Sequence, residues 1–258
     1  MQLTDSHCHL DVGAFEADRE AVLERARAAS VQHLVVPAIS AAGWPALRQL
    51  AAMHPGVHAA YGLHPLALHE HRPEHLDALA RWLDDCPQAV AIGECGLDHF
   101  VPGLDADRQR HYFEAQLDLA QQRQLPVIVH ARRALDTVLA ALRRRPGLRG
   151  VVHSFSGSAQ QARQLWGLGF MLGIGGPVTY PRAQRLRGIV ASMPIAHLLL
   201  ETDSPDQPDA DWRGRRNEPA RLSRVLAEVA ALRGADAAQI AAATTANAQN
   251  LFRGFGGR

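Results

Sequence analysis

Apolar and polar positions follow two alternating periods along this chain. Short apolar or β-branched runs, each closing on a polar residue, predict strands over Gln2–Ser6, His33–Pro37, Val57–Tyr61, Ala89–Gly93, Pro126–His130, Gly150–His153, Phe170–Ile174 and His197–Thr202. Helical spacing fills the intervals. Glu16–Ala29 places Val22, Leu23, Ala26 and Ala29 on one face. A long helix is predicted over Asp105–Leu125, stopping at Pro126, because a proline disfavours helical backbone at the residue before it. Ser158 reads as the N-cap of a helix reaching Leu168, with Gly169 just past its end. Pro219–Arg233 and Asp236–Phe252 read as the last two helices.

Eight strands alternating with helices over 258 residues predict an α/β protein, a (β/α)8 barrel formed by residues 1–258 as a single domain. The competing arrangement is an open doubly wound sheet, which calls for a glycine-rich nucleotide fingerprint. Gly173, Gly175 and Gly176 cluster, but Val178 breaks the pattern, so a tight turn after the seventh strand is expected there. Arg143–Arg145 falls at a helix C-terminus, where cations complement the helix dipole on a solvated face. The most irregular stretch is Ser204–Pro219, and loops of that length in compact domains are usually functional.

Composition narrows the chemistry. Twenty-seven basic residues against 26 acidic ones leave a net charge of +1, so any polyanion must be met by a local patch. Every basic residue is Arg. Without Lys there is no Schiff base, no pyridoxal attachment, no Walker-type phosphate loop and no carbamylated bridging ligand, so a bridging anion must be Asp or Glu. Cys8, Cys86 and Cys95 form no CxxC pair, which argues against a thiolate zinc site or a disulfide framework and suits buried apolar roles. The first residues lack a basic start with an apolar run behind it, and no stretch approaches 18 apolar residues. A soluble, cytoplasmic protein is expected.

The predicted strands end on metal-type ligands: His7 and His9, then His64, Glu94, His130, His153 and Asp203. Barrel enzymes build their sites at that face. His7 and His9, two apart in an extended segment, turn both imidazoles one way and Cys8 the other. Glu94 closes a buried strand and needs a cationic partner. His130 and His153 each follow a β-branched run on neighbouring strands, and Glu201 lies deeper than Asp203 on a shared face. Mixed imidazole and carboxylate donors suit zinc, manganese, nickel or cobalt. Six ligands exceed what one tetrahedral zinc uses, whereas two ions bridged by Glu94 would use them all and would suit hydrolysis of a phosphate ester.

The stretches DSHCHLD at 5–11, GLHP at 62–65, GECGLD at 93–98, VIVHAR at 127–132, HSFSG at 153–157, ETDSP at 201–205 and RNEP at 216–219 together resemble the TatD family of metal-dependent deoxyribonucleases, within the amidohydrolase-like barrels. The resemblance spans nearly the whole chain. It implies that His7, His9, Glu94 and Asp203 surround one metal, and that Glu94, His130 and His153 surround another. It also implies that Asp203 orients or deprotonates the attacking water, with Glu94 the second catalytic carboxylate, and that His64 and Arg132 face the substrate phosphate. The expected cofactor is a pair of divalent ions, with zinc, manganese, magnesium, nickel and cobalt all open. Ser154, Arg133 and His99 depart from the family pattern, and the last two bear on substrate contacts.

The leading expectation is a two-metal phosphodiesterase acting on DNA from a strand end, with Arg213 and Arg215 in the loop after Asp203 holding backbone phosphates beside Arg216. Few aromatic residues argue against a long stacking groove, which an end-acting enzyme does not need. The alternative enzymatic reading is hydrolysis of another ester or amide, such as an aminoacyl ester, a lactone or a small phosphate ester. A non-catalytic metal-binding scaffold would be favoured by a missing ligand, and none is missing. No membrane or obligate protein partner is expected.

Overall fold

A computed structural model describes residues 1–252. The strands are β1 Leu3–Asp5, β2 Val31–Pro37, β3 Val57–Tyr61, β4 Ala91–Asp98, β5 Val127–Arg132, β6 Gly150–Val152, β7 Phe170–Ile174 and β8 Leu198–Leu200. All are parallel and pair in chain order from β1 to β8. The helices are α1 Arg19–Ala28, α2 Trp44–Met53, α3 Glu74–Asp85, α4 Ala106–Arg123, α5 Leu135–Arg143, α6 Ala159–Gly167, α7 Gln184–Ser192, α8 Leu222–Arg233 and α9 Ala237–Leu251. This is a (β/α)8 barrel, and no described helix is long and apolar enough to cross a membrane.

The first and last strands close the barrel. The Ser6 N–H donates to the Leu200 carbonyl at 2.9 Å, and the Asp203 N–H to the His7 carbonyl at 2.9 Å. The buried Asp5 carboxylate spans the seam, accepting from the Thr202 N–H at 2.9 Å and the Thr202 hydroxyl at 2.6 Å. Burial pushes Asp5 up to about 7 against the pull of these donors.

Period two sorts the side chains of each strand. Leu34 and Val36 of β2, Val127 and Val129 of β5, and Leu198 and Leu200 of β8 join the large apolar layer beneath the helices. Their alternates Val35, Ile128 and Leu199 meet Ala60, Val151 and the α9 residues Ala248 and Leu251 in a separate cluster inside the barrel. The next inward positions on β5, β6 and β8 are therefore His130, His153 and Glu201, above an apolar floor.

Several boundaries differ from expectation for local reasons. A buried Phe15 in a 3-10 turn at Gly13–Phe15 delays α1 to Arg19. Gln124, in left-handed backbone, ends α4 two residues before Pro126. The Ser158 cap forms as a full capping box with Gln161. Gly173 lies inside β7 rather than in a turn, since a Cβ there would stand 2.0 Å from the Glu201 carboxylate. The 143–145 arginines do not share a solvated face. Arg145 is buried and donates to Asp118 at 2.6 Å, and Arg144 reaches Glu114 at 2.6 Å, tying α5 to α4.

Candidate active site

Glu94 does not end a strand, as its neighbours suggested, but sits in the middle of β4. The β4–β5 register slips between Ile92 and Cys95: three steps on β4 oppose two on β5, from Val127 to Val129. Such a bulge re-aims one side chain, and here it turns Glu94 into the barrel mouth. There its two oxygens divide the surrounding imidazoles. Oε2 lies 3.2 Å from His7 Nε2 and 3.3 Å from His9 Nε2. Oε1 lies 2.7 Å from His153 Nε2, 3.0 Å from His130 Nδ1 and 3.0 Å from His64 Nε2. Asp203, in left-handed backbone just beyond β8, faces His7 Nε2 at 3.4 Å.

Electrostatics in this pocket turn on Glu94. Burial works against its charge, yet the imidazoles of His153, His64 and His7 hold it well below the usual carboxylate range. Burial lowers His7 to about 4. For His9 and His153 burial also opposes protonation, but Glu94 outweighs it and raises them to about 9 and about 10. The cluster therefore demands positive charge, and among the described residues no arginine pairs with either carboxylate. Glu94 Oε2 is buried with no hydrogen-bond partner. His7 and His9 aim their Nε2 atoms at one another, 3.2 Å apart. An orphaned carboxylate oxygen beside converging imidazole nitrogens fits a bound cation. Donor atoms of His7, His9 and Glu94, of His7, His153 and Asp203, and of His64, Glu94 and His130 each lie within 4.8 Å of one another.

His64 is placed deeper than a rim contact. Its Nδ1 accepts the Leu66 N–H at 3.1 Å, so the remaining proton is on Nε2 and is directed at Glu94 Oε1. Arg132 ends β5 at the rim, stacked over Phe100 at 3.7 Å. Arg213 and Arg215 do not border the cavity. The loop that carries them lines it only through Pro205, Asp206 and Gln207, then turns outward. Asp209 caps the next 3-10 turn and binds Arg221, Trp212 donates to the Arg216 carbonyl, and Arg216 reaches Asp18 on the far side.

Four residues support the ligands, and of these the sequence pointed only to Glu201, lying deeper than Asp203 on a shared face. Asp98, three residues past the bulge position Cys95, accepts from His130 Nε2 at 2.9 Å and so orients that ring. Glu201 Oε1 lies 3.9 Å from His153 Nδ1, and burial raises Glu201 to about 8. Gln207 donates its amide to Asp203 Oδ2 and accepts the Ser154 hydroxyl at 2.8 Å. Asp5, already described at the seam, also accepts the His7 N–H at 3.2 Å, fixing the backbone that carries both histidines. A period-two count locates Glu201, but the other contacts depend on how loops return to the mouth.

The cluster opens into a cavity of about 1120 Å3. Its arginines, Arg132, Arg182 and Arg185, all come from the sector over β5–β7, whereas the β1–β3 side presents Val12, Ile39 and Leu66.

A (β/α)8 barrel with imidazoles and carboxylates gathered at the strand ends belongs to the class of metal-dependent hydrolases. Residues 4–253 match the family described as TatD related DNase, and the chain belongs to that family. It is 42% identical over 250 residues to the uncharacterized metal-dependent hydrolase YjjV of Escherichia coli K12, covering 96% of each chain. It is 37% identical over 246 residues to the 3'-5' ssDNA/RNA exonuclease TatD of Erwinia tasmaniensis, covering 92% of this chain and 95% of that one. The crystal structure of E. coli YjjV, a TatD homologue, superimposes with a TM-score of 0.94 at 41% identity over 98% of both chains.

Proposed function

We propose that this hydrolase is a two-metal deoxyribonuclease that removes nucleotides from a strand end. The observation that carries this reading is the juxtaposition of a cluster suited to two cations with a cavity whose arginines line one side. His7, His9, Glu94 and Asp203 would hold one ion, and Glu94, His130 and His153 the other. Divalent ions in such a site polarise the phosphate, lower the pKa of a water and stabilise the leaving oxygen.

The chain's own groups do the rest. Asp203, held by Gln207, takes the proton of the attacking water. His64 directs its Nε2 proton at Glu94 Oε1 and so steadies the carboxylate that would serve both ions, and Arg132 holds the non-bridging oxygens. Asp98 keeps His130 oriented, and Glu201 lies behind His153 at 3.9 Å. The apolar floor inside the barrel closes the cavity from below. The Erwinia relative, named as an exonuclease on single-stranded DNA and RNA, supports this substrate class.

The test combines metal analysis of the purified enzyme with digestion of end-labelled single-stranded DNA. About two divalent ions per chain and a ladder shortening from one end are expected. Hydrolysis of lactones or aminoacyl esters, with end-labelled DNA left intact, would overturn the nuclease reading.

A further inference from the structure

The mouth has an annexe. Beside the main cavity lies a hollow of about 520 Å3, between the starts of α5 and α6, and the two share Ala131, Ser156 and Arg185. The hollow adds Arg133, Thr137 and one acid, Asp136, which accepts from Gln161 Nε2 at 2.8 Å. Arg185 donates to the Ser156 carbonyl at 2.9 Å, fixing it between the two spaces. Among the described residues no carboxylate pairs with Arg132, Arg133 or Arg185; Arg132 lines the main cavity, Arg133 the hollow and Arg185 both.

The backbone explains how two consecutive arginines serve one track. In an extended strand Arg132 and Arg133 would point to opposite faces. Arg133 instead takes φ +55, the left-handed region that an arginine rarely adopts. Its guanidinium consequently lies 4.7 Å from the centre of the same Phe100 ring that Arg132 covers at 3.7 Å. The period-two expectation that Arg133 turns away from Arg132 therefore fails.

We propose that this hollow is a second phosphate subsite, in which Arg133 and Arg185 hold the backbone phosphate next to the scissile one. The inference rests on the nuclease reading and adds that the preferred substrate is an oligonucleotide strand, entered over β5–β7 rather than past the loop after β8. Its bases face the apolar side of the mouth at Val12, Ile39 and Leu66.

The test compares kcat/KM for a tetrathymidylate with that for bis(p-nitrophenyl) phosphate, a diester with no second phosphate. Arg133→Gly removes the guanidinium while accepting the left-handed backbone, so it folds without new strain. The tetranucleotide-to-diester ratio should fall about tenfold, mainly through KM, as loss of one charge-assisted hydrogen bond requires. The salt slope for the single strand should drop by roughly 0.7, and Arg133→Lys should restore it. A ratio that does not move, or losses that are equal on both substrates, overturns the subsite. A wild-type enzyme that cuts the diester but no oligonucleotide overturns the nuclease reading itself, which is a different result.

Discussion

Two sets of arginines flank the barrel mouth, and their surroundings set them apart. In and after the loop following β8, Arg216 spends both its terminal nitrogens on Asp18 at 2.7 Å, Arg221 binds Asp209 at 2.7 and 2.9 Å, and Arg224 binds Asp211 and Glu228. Arg215 lies over Trp212 at 4.5 Å. That segment carries its own acids, so most of its cations are used where they stand. Over β5–β7 acids are scarce, and Arg132, Arg133, Arg182 and Arg185 have no carboxylate partner among the described residues. A guanidinium is available to a ligand when nearby carboxylates are few, and a count of arginines along a loop does not register this.

The metal cluster sits under both sectors, and removing its metal sets the largest effect. Chelation should abolish hydrolysis of every substrate while the circular dichroism spectrum keeps its native form, because the apolar layers under the helices do not involve the site. Residual full activity, or outright unfolding, would contradict this. Glu94→Gln comes next. A neutral amide cannot serve two cations, so kcat/KM should fall by at least ~10³ on oligonucleotide and small diester alike, beyond the losses typical of supporting residues. Arg133→Asp should harm small-diester turnover far less, and comparable losses in steady-state rates would refute the ordering.

The arginine sectors themselves should separate at the next level. Arg132→Ala with Arg185→Ala should lower oligonucleotide kcat/KM by about 100-fold. Arg213→Ala with Arg215→Ala should change it by less than about twofold, since those charges are exposed, away from the cavity and screened by salt. Equal effects at one ionic strength would erase the distinction between the sectors.

The smallest effect concerns the loop's tether. Hydrogen bonds from Arg216, together with Arg25, hold Asp18 down to about 2. A carboxylate depressed by folding adds stability above its unfolded value near 3.8, and loses it as pH falls through about 2. The gap in urea midpoint between wild type and Asp18→Asn should therefore narrow from pH 4.5 to pH 2.5 and close only below about 2. A constant gap would mean that the pair does not tether the loop.

Much of the barrel is written in period two. Each β-branched run marks a strand, and the polar residue ending His130 or His153's run marks the inward position at the mouth. Glu94 was legible as a ligand type but not as the residue at a bulge, because the register slip depends on β5. Asp98 and Gln207 were hidden for a related reason: one acts across to the neighbouring strand, the other after a loop has folded back. Arg213 and Arg215 follow Asp203 closely along the chain yet do not border the cavity, because proximity in sequence does not fix the path of a loop. Asp209 within that loop and Asp18, just before α1, bind arginines that hold it away from the cavity.

The seam between β1 and β8 has a consequence for the nascent chain. Asp5 and Thr202 are 197 residues apart, and the two halves of the His7, His9 and Asp203 constellation are separated almost as widely. At ~5–20 residues per second, roughly 10–40 s pass on the ribosome between synthesis of the first histidine pair and of its acidic counterpart. Throughout that interval β1 has no closing neighbour and the enzyme has no complete centre. The hydrolase thus gains a complete centre only once all eight strands have been synthesised.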